Sequence, residues 1–292
     1  MGILSGIGVG LGIAAVACIA GPPEENAGSG LQVCAGRVYA TVETPAGELE
    51  LKLDVLRDPE GDNAPRPAVV FIHGGGMAES DRTSGRWAVE DLARAGYVSV
   101  AIDYRLMHQG MFPAPLHDCK AAIRHLREHA AELGIDPERV GVWGHSAGGH
   151  LAAMVAVTGP EGAFEEGVPE GAPSGAVQCA VGISGPTDIA RLMSDMMGGV
   201  PLPGAMQEQM KAASPMTHAD GEDPPILIIH GDADDAIAVS HARDFRAALE
   251  AAGVVHGYVE LEGAGHNIVD RATLERVRAF FDEHLGTDTD EG

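Results

Sequence analysis

A single serine lies between small residues in the stretch "WGHSAGG", where an apolar run gives way to a helical pattern. Gly144 and Gly148 stand two positions before and after Ser146. In a tight strand-to-helix turn the serine has a strained backbone, its hydroxyl projects above the sheet, and its neighbours must lack bulk. The pattern therefore predicts that Ser146 is a nucleophile for acyl transfer.

A serine hydroxyl becomes reactive when a base takes its proton, and that base needs a carboxylate to fix its tautomer. His266 follows the last apolar run in the Gly-rich stretch "EGAGHNIVD", so it is the predicted base. The preceding stretch "HGDADDAI" offers three acids, Asp232, Asp234 and Asp235. Asp232 adjoins the strand and is expected to brace the loop through backbone hydrogen bonds.

Three consecutive glycines follow another apolar run in "FIHGGGMAE". Glycines let backbone N–H groups approach a ligand oxygen closely, as a developing oxyanion requires. The predicted donors are the N–H groups of Gly75, Gly76 and Ala147, and Gly74 is an alternative to either glycine.

Strand and helix patterns alternate along the chain after residue 36. Two alternating stretches predict N-terminal antiparallel strands, and six continuous apolar runs predict strands buried on both faces of a parallel sheet. Amphipathic stretches between them predict helices, the clearest at 115–134. The fold class is therefore α/β, with a doubly wound, mostly parallel sheet and a small lid.

The predicted organisation is a hydrophobic leader over 1–20, a polar linker over 21–35, a catalytic domain over 36–286 and an acidic tail over 287–292. Lid material is expected at 186–220.

The leader holds no charged residue, and "AVA" at 15–17 resembles a signal-peptidase site. Secretion or a periplasmic location is therefore expected, and a cytoplasmic location if the leader is not a signal. Cys18 also fits a weak lipoprotein motif, so contact with a membrane is expected only through a lipid anchor on this residue. The four cysteines show no C-x-x-C spacing, which favours buried free thiols.

The formal net charge is −24, because 43 acidic residues face 19 basic ones. This balance disfavours binding to nucleic acid or to anionic membranes.

Several motifs together resemble the α/β-hydrolase superfamily, in its carboxylesterase and acetylesterase branch related to bacterial feruloyl and acetylxylan esterases. They are the hormone-sensitive-lipase-like "HGGG", "DYRL" (103–106), the serine region (118–153), "ASPMTH" (213–218) and "PPILIIHGDADDAI" (224–237). The resemblance implies ester hydrolysis without a metal or organic cofactor. It also assigns the acid to Asp234, with Asp235 pointing away.

The available lid is short, which predicts a small, open pocket for short-chain acyl or carbohydrate-linked esters. Methionines concentrate at 193–210, either as packing residues or as an adaptable lining for the pocket. Two other functions remain open, a C–N hydrolase of the arylformamidase or serine peptidase type, and a non-catalytic binding protein on the same fold.

Overall fold

One nine-stranded sheet organises the part of the chain that the computed structural model describes, residues 24–25, 30–60, 64–160, 163–165 and 168–286. The spatial order is β1-β2-β3-β5-β4-β6-β7-β8-β9. The strands are β1 (Glu24–Glu25), β2 (Gln32–Thr44), β3 (Gly47–Arg57), β4 (Arg66–Ile72), β5 (Val98–Ile102), β6 (Ile135–His145), β7 (Cys179–Ile183), β8 (Ile226–Gly231) and β9 (His256–Leu261).

The first three strands pair antiparallel, β3 joins β5 antiparallel, and every pair from β5 to β9 is parallel. All seven residues of β4 are buried, as expected for a strand with helices on both faces. The predicted doubly wound, mostly parallel fold is confirmed.

Helices cover both faces of the sheet. They are α1 (Arg86–Arg94), α2 (Ala114–Glu128), α3 (Ala130–Leu133), α4 (Ala147–Val157), α5 (Ile189–Met196), α6 (Gly204–Ala212), α7 (Ser240–Ala252) and α8 (Arg271–Leu285). One core contains apolar residues of α2, α4 and α7, and the other contains those of α1 and α8. Helices α5 and α6 bury no residue, and the lid at 186–220 stays a prediction.

The structure differs from the sequence prediction at three places. Strand β2 begins at Gln32, before the expected domain boundary at 36, because it continues the pairing with β3 to Arg57. The single helix expected over 115–134 is two helices with a break at His129, and Gly134 ends the second with a φ of 66°. Cys34 is disulfide-bonded, which corrects the expectation of free thiols, whereas Cys119 and Cys179 are free and buried.

The leader, the lipid-anchor candidate Cys18 and the acidic tail lie outside the described residues. Within the described part, no helix combines the length and the apolar character needed to cross a bilayer.

Two buried histidines should make the fold sensitive to acid. Burial lowers the pKa of both His150 and His241 to about 4. Below about pH 6.5 the unfolded chain therefore binds protons that the folded chain does not, and stability is lost as the pH falls towards 4. Each histidine should lower the unfolding free energy by up to about 2 kcal/mol at pH 5.

Urea unfolding at pH 7 and pH 5 measures this loss. His241→Asn is the informative variant, because an amide oxygen can still accept from the Thr187 and Asp188 N–H groups that contact His241 Nδ1 at 3.3 Å. The variant should lose less stability between the two pH values than the wild type. An identical loss would contradict the assignment.

Candidate active site

Ser146 occupies the turn between β6 and α4 with φ 57° and ψ −121°. A non-glycine residue at positive φ is strained and persists only where its surroundings hold it. Here the Ser146 N–H donates to the Ile183 carbonyl at 2.8 Å, and the Ser146 carbonyl accepts from the His150 N–H at 3.0 Å. The turn is thus fixed both to β7 and to the first turn of α4.

The two glycines around Ser146 are required by close packing. A Cβ at Gly148 would lie 1.9 Å from the Ile72 carbonyl oxygen, and one at Gly144 would lie 2.4 Å from the Gly148 carbonyl carbon. Both distances are shorter than real Cβ contacts allow, so any side chain would force β4, β6 and α4 apart. This is the physical basis of the small residues seen in the sequence.

The structure brings the three predicted side chains into one hydrogen-bonded chain. His266 Nε2 lies 2.9 Å from Ser146 Oγ, and His266 Nδ1 lies 2.8 Å from Asp234 Oδ2. The three residues follow the carboxyl ends of β9, β6 and β8, so the sheet holds them at one edge. A neutral His266 with its proton on Nδ1 presents a lone pair to the serine hydroxyl.

The environment of Asp234 favours an ionised carboxylate. Burial alone would raise its pKa, but Oδ1 accepts the N–H groups of Ala236 at 2.9 Å and Ile237 at 2.8 Å, and Oδ2 faces His266. These interactions outweigh the burial, and the pKa of Asp234 is lowered. The carboxylate therefore stays charged at neutral pH beside the histidine.

The neighbouring acids do not contact His266. Asp232 is exposed, and its Oδ1 accepts the Gly263 N–H at 2.6 Å, which ties the loop after β8 to the loop after β9. Asp235 is exposed. Of the three acids in the motif, the structure places Asp234 alone against His266.

The glycine turn lies directly beside the serine. A Cβ on Gly74 would be 3.4 Å from Ser146 Cβ, so this residue is in contact with the turn after β6. Gly75 and Gly76 have φ values of 98° and 61°, which favour glycine, and the Gly75 carbonyl accepts the N–H groups of Ala78 and Glu79. Ala147 is the first residue of α4. Donation by Gly75, Gly76 and Ala147 to an oxyanion stays a prediction.

Two contacts at the site were missed by the sequence reasoning. His145 Nε2 lies 2.8 Å from the His266 carbonyl oxygen, so it links the serine turn to the loop that carries His266. Tyr104, in the "DYRL" motif, donates to the His73 carbonyl at 2.9 Å and stacks on the His73 ring at 4.2 Å, which braces the glycine turn. The motif itself could have indicated Tyr104, but the contact of His145 depends on tertiary structure.

The segment expected to form a lid, 186–220, presents methionines to solvent. Met196 is 75% exposed, and Met197 and Met206 are 49% and 43% exposed. A cavity of about 400 Å³ lies between α5, α6 and the 3₁₀ turn Pro215–Thr217, lined in part by Leu202 and Met216. The exposed methionines are thus outer-surface residues and not packing residues of the core.

Among the described residues there is no cluster of three or more His, Cys, Asp or Glu side chains that could hold a metal ion. The polar groups that meet at Ser146 are instead arranged for proton transfer.

The BD-FAE family model matches residues 53–249, which include the glycine turn, Ser146 and Asp234. The chain belongs to the BD-FAE family. His266 lies beyond the matched range, so its place rests on the structure.

Named relatives of this BD-FAE chain include two esterases of Mycobacterium tuberculosis. Esterase LipC is 34% identical over 227 residues, which are 73% of this chain and 56% of LipC. Esterase LipQ is 33% identical over 248 residues, which are 80% of this chain and 58% of LipQ. The chain thus spans a little over half the length of these relatives.

Solved structures of esterases are similar over most of the chain. A thermophilic esterase of Thermogutta terrifontis matches with a TM-score of 0.74 and 29% identity, covering 90% of this chain and 95% of that one. Structures of that esterase have been determined with propionate bound, with butyrate bound and after phosphoramylation by tabun. A truncated carbohydrate esterase from gut microbiota matches with a TM-score of 0.74 and 26% identity, covering 88% and 97%.

Proposed function

We propose that this chain is a serine-dependent carboxylic ester hydrolase. The observation that carries the proposal is the hydrogen-bonded chain from Ser146 Oγ through His266 to the buried carboxylate of Asp234. The same three groups, in this order, activate a hydroxyl for acyl transfer. The names of the relatives support this reaction and do not favour the C–N hydrolase alternative.

In the first half of the reaction Ser146 Oγ attacks the ester carbonyl carbon, and its proton passes to His266 Nε2. The negative charge on the carbonyl oxygen is stabilised by backbone N–H groups of Gly75, Gly76 and Ala147. Collapse of this intermediate breaks the bond to the alcohol oxygen, which leaves with the proton from His266. The products are the free alcohol and an acyl group on Ser146.

In the second half a water molecule attacks the acyl carbon and gives a proton to His266. The bond to Ser146 Oγ breaks, the serine recovers its proton and the carboxylic acid is released. Asp234 remains ionised throughout the reaction. Its carboxylate orients His266 and stabilises the protonated form of His266.

Short acyl groups or carbohydrate-linked esters are the proposed substrates. Support comes from the Thermogutta terrifontis esterase with bound propionate or butyrate and from the gut carbohydrate esterase. The proposal includes a short lid formed by α5 and α6, which would leave a small, open pocket.

A substrate panel tests the proposal. It comprises p-nitrophenyl esters of increasing chain length, acetylated xylan and methyl ferulate, with N-formylkynurenine as the C–N substrate. Turnover should be highest for the short p-nitrophenyl esters and absent for N-formylkynurenine. Faster turnover of N-formylkynurenine than of p-nitrophenyl acetate would reject ester hydrolysis as the principal activity.

We also propose that the protein is exported. The uncharged leader and its "AVA" sequence support export. Mass spectrometry of the mature N-terminus after expression in a bacterium should show loss of the leader. An intact Met1 on cytoplasmic protein would contradict export, and a diacylglycerol mass on Cys18 would replace secretion with a lipid anchor.

A further inference from the structure

A second histidine contacts the carboxylate of Asp234. His230, near the end of β8, is 1% exposed and was assigned no role by the sequence reasoning. Its Nε2 lies 2.9 Å from the Ile237 carbonyl oxygen and 3.2 Å from Asp234 Oδ2. Oδ2 is also the oxygen that faces His266 Nδ1.

The surroundings determine the protonation of His230. Nε2 faces two acceptors, so it must carry a proton, because a lone pair there would face two oxygens. Nδ1 is buried and has no hydrogen-bond partner among the described residues, so a proton on Nδ1 would be unsatisfied. Burial also lowers the pKa of His230. The ring is therefore neutral, with its proton on Nε2.

This arrangement places four nitrogen atoms around the carboxylate. Oδ1 accepts from the backbone N–H groups of Ala236 and Ile237, and Oδ2 accepts from His266 and lies 3.2 Å from His230 Nε2. Ile237 takes part twice, since its N–H donates to Asp234 and its carbonyl accepts from His230. His230 thus closes the turn that holds Asp234 and also contacts the oxygen that Asp234 offers to His266.

We propose that His230 is a positioning residue for Asp234. The Nε2–H group of His230, held by the Ile237 carbonyl and 3.2 Å from Oδ2, fixes Oδ2 towards His266 and reduces the negative charge that this oxygen presents. The inference rests on the proposed function, because it concerns the acid of the same hydrogen-bonded chain. It predicts that His230 limits how strongly Asp234 stabilises protonated His266.

Other titratable groups around His230 do not form this contact. His145 and His266 lie at the site, His241 belongs to α7 and Glu260 to β9, and each influences His230 only through space. Among the described residues, Asp234 is the one acidic group in contact with the His230 ring. Loss of the His230 donor should therefore reach His266 through Asp234, both directly and through the turn at Ile237.

Two substitutions separate positioning from packing. His230→Phe keeps a ring of similar size without the donor, and His230→Gln offers an amide N–H in place of Nε2–H. For p-nitrophenyl acetate, kcat/KM of His230→Phe should fall roughly tenfold, because Oδ2 is no longer fixed towards His266 and orients the base less well; a lost contact to a charged group is worth about this factor. The acid limb of its pH profile should move up by about half a unit, because the less neutralised carboxylate stabilises protonated His266. His230→Gln should restore much of both properties.

His241→Asn is the matched control, since it alters a second histidine that is 1% exposed but does not contact Asp234. Its acid limb should stay at the wild-type position. An unmoved acid limb in His230→Phe, or a glutamine variant no better than phenylalanine, would overturn the proposal and leave His230 as a packing residue.

A measurement on the unmodified protein decides the matter if His230→Phe does not fold. Long-range ¹H–¹⁵N spectra of the ¹⁵N-labelled protein should show His230 as the Nε2–H tautomer, with Nδ1 unprotonated, from pH 8 to pH 5. A proton on Nδ1 in this range would overturn the proposal. This readout needs no turnover, so it remains interpretable even if the proposed ester hydrolysis fails its own test.

Discussion

Ser146→Ala is expected to lose ester hydrolysis by a factor on the order of 10⁶, the loss that removal of a triad nucleophile causes in a serine hydrolase. Without Oγ no acyl-enzyme can form, and His266 has no hydroxyl to deprotonate. The fold should be retained, because the backbone bonds of residue 146 to Ile183 and His150 do not involve its side chain. The measurement is kcat with p-nitrophenyl acetate, together with circular dichroism and thermal unfolding.

Ser184→Ala is a suitable control, because it tests a serine-to-alanine change at another residue whose backbone has a positive φ like that of Ser146. Ser184 also has a positive φ, of 49°, is fully buried, and its Oγ has no hydrogen-bond partner within the described chain. Its replacement changes the same side chain in a similar backbone without removing a contact to His266. It should keep most of the activity. Wild-type turnover by Ser146→Ala would refute the proposed nucleophile and, with it, the mechanism.

Asp234→Asn is expected to lower kcat by about 10⁴-fold. The reason lies in the backbone contacts of the carboxylate. The N–H groups of Ala236 and Ile237 require an oxygen at the Oδ1 position, so the amide NH₂ must occupy the Oδ2 position. That NH₂ group faces His266 Nδ1 and forces it to accept. The proton of His266 then moves to Nε2, so Nε2 has no lone pair to accept the proton of Ser146 Oγ. His266 can no longer act as the base.

Asp235→Asn provides the matched comparison, since it makes the same chemical change one residue away on an exposed side chain. It should retain activity within a factor of a few. Steady-state kinetics of both variants with p-nitrophenyl acetate measure the difference. The reverse order of losses would leave the serine and histidine assignments intact but would contradict the role of Asp234.

The sequence predicted most of the fold because its signals were local. Continuous apolar runs marked the parallel strands, and the helical patterns between them marked the helices. The break at His129 was not predicted, because the apolar periodicity of 115–134 continues through it. The disulfide at Cys34 was missed because pairing of cysteines is not encoded in spacing alone.

The residues of the candidate site also divide into those that the sequence indicated and those that it did not. Ser146 stood out because the small residues around it have a direct steric explanation, and His266 stood out because it follows the last apolar run in a Gly-rich stretch. His145 and His230 did not, because each acts through a residue that is far away in sequence or on the opposite side of a turn. Each of these two histidines stands next to a glycine in the sequence, and that pattern alone does not indicate a role in the site. Only the three-dimensional contacts show which residues they touch.

The close packing beneath Ser146 also determines how this protein can evolve. Gly144 and Gly148 leave no room for any side chain against Ile72, so substitutions at these two positions should be eliminated during evolution. Helices α5 and α6 bury no residue, and their exposed methionines can be replaced with little cost to stability. Substitutions should therefore accumulate in α5 and α6 in descendants of this chain, while Gly144 and Gly148 stay unchanged.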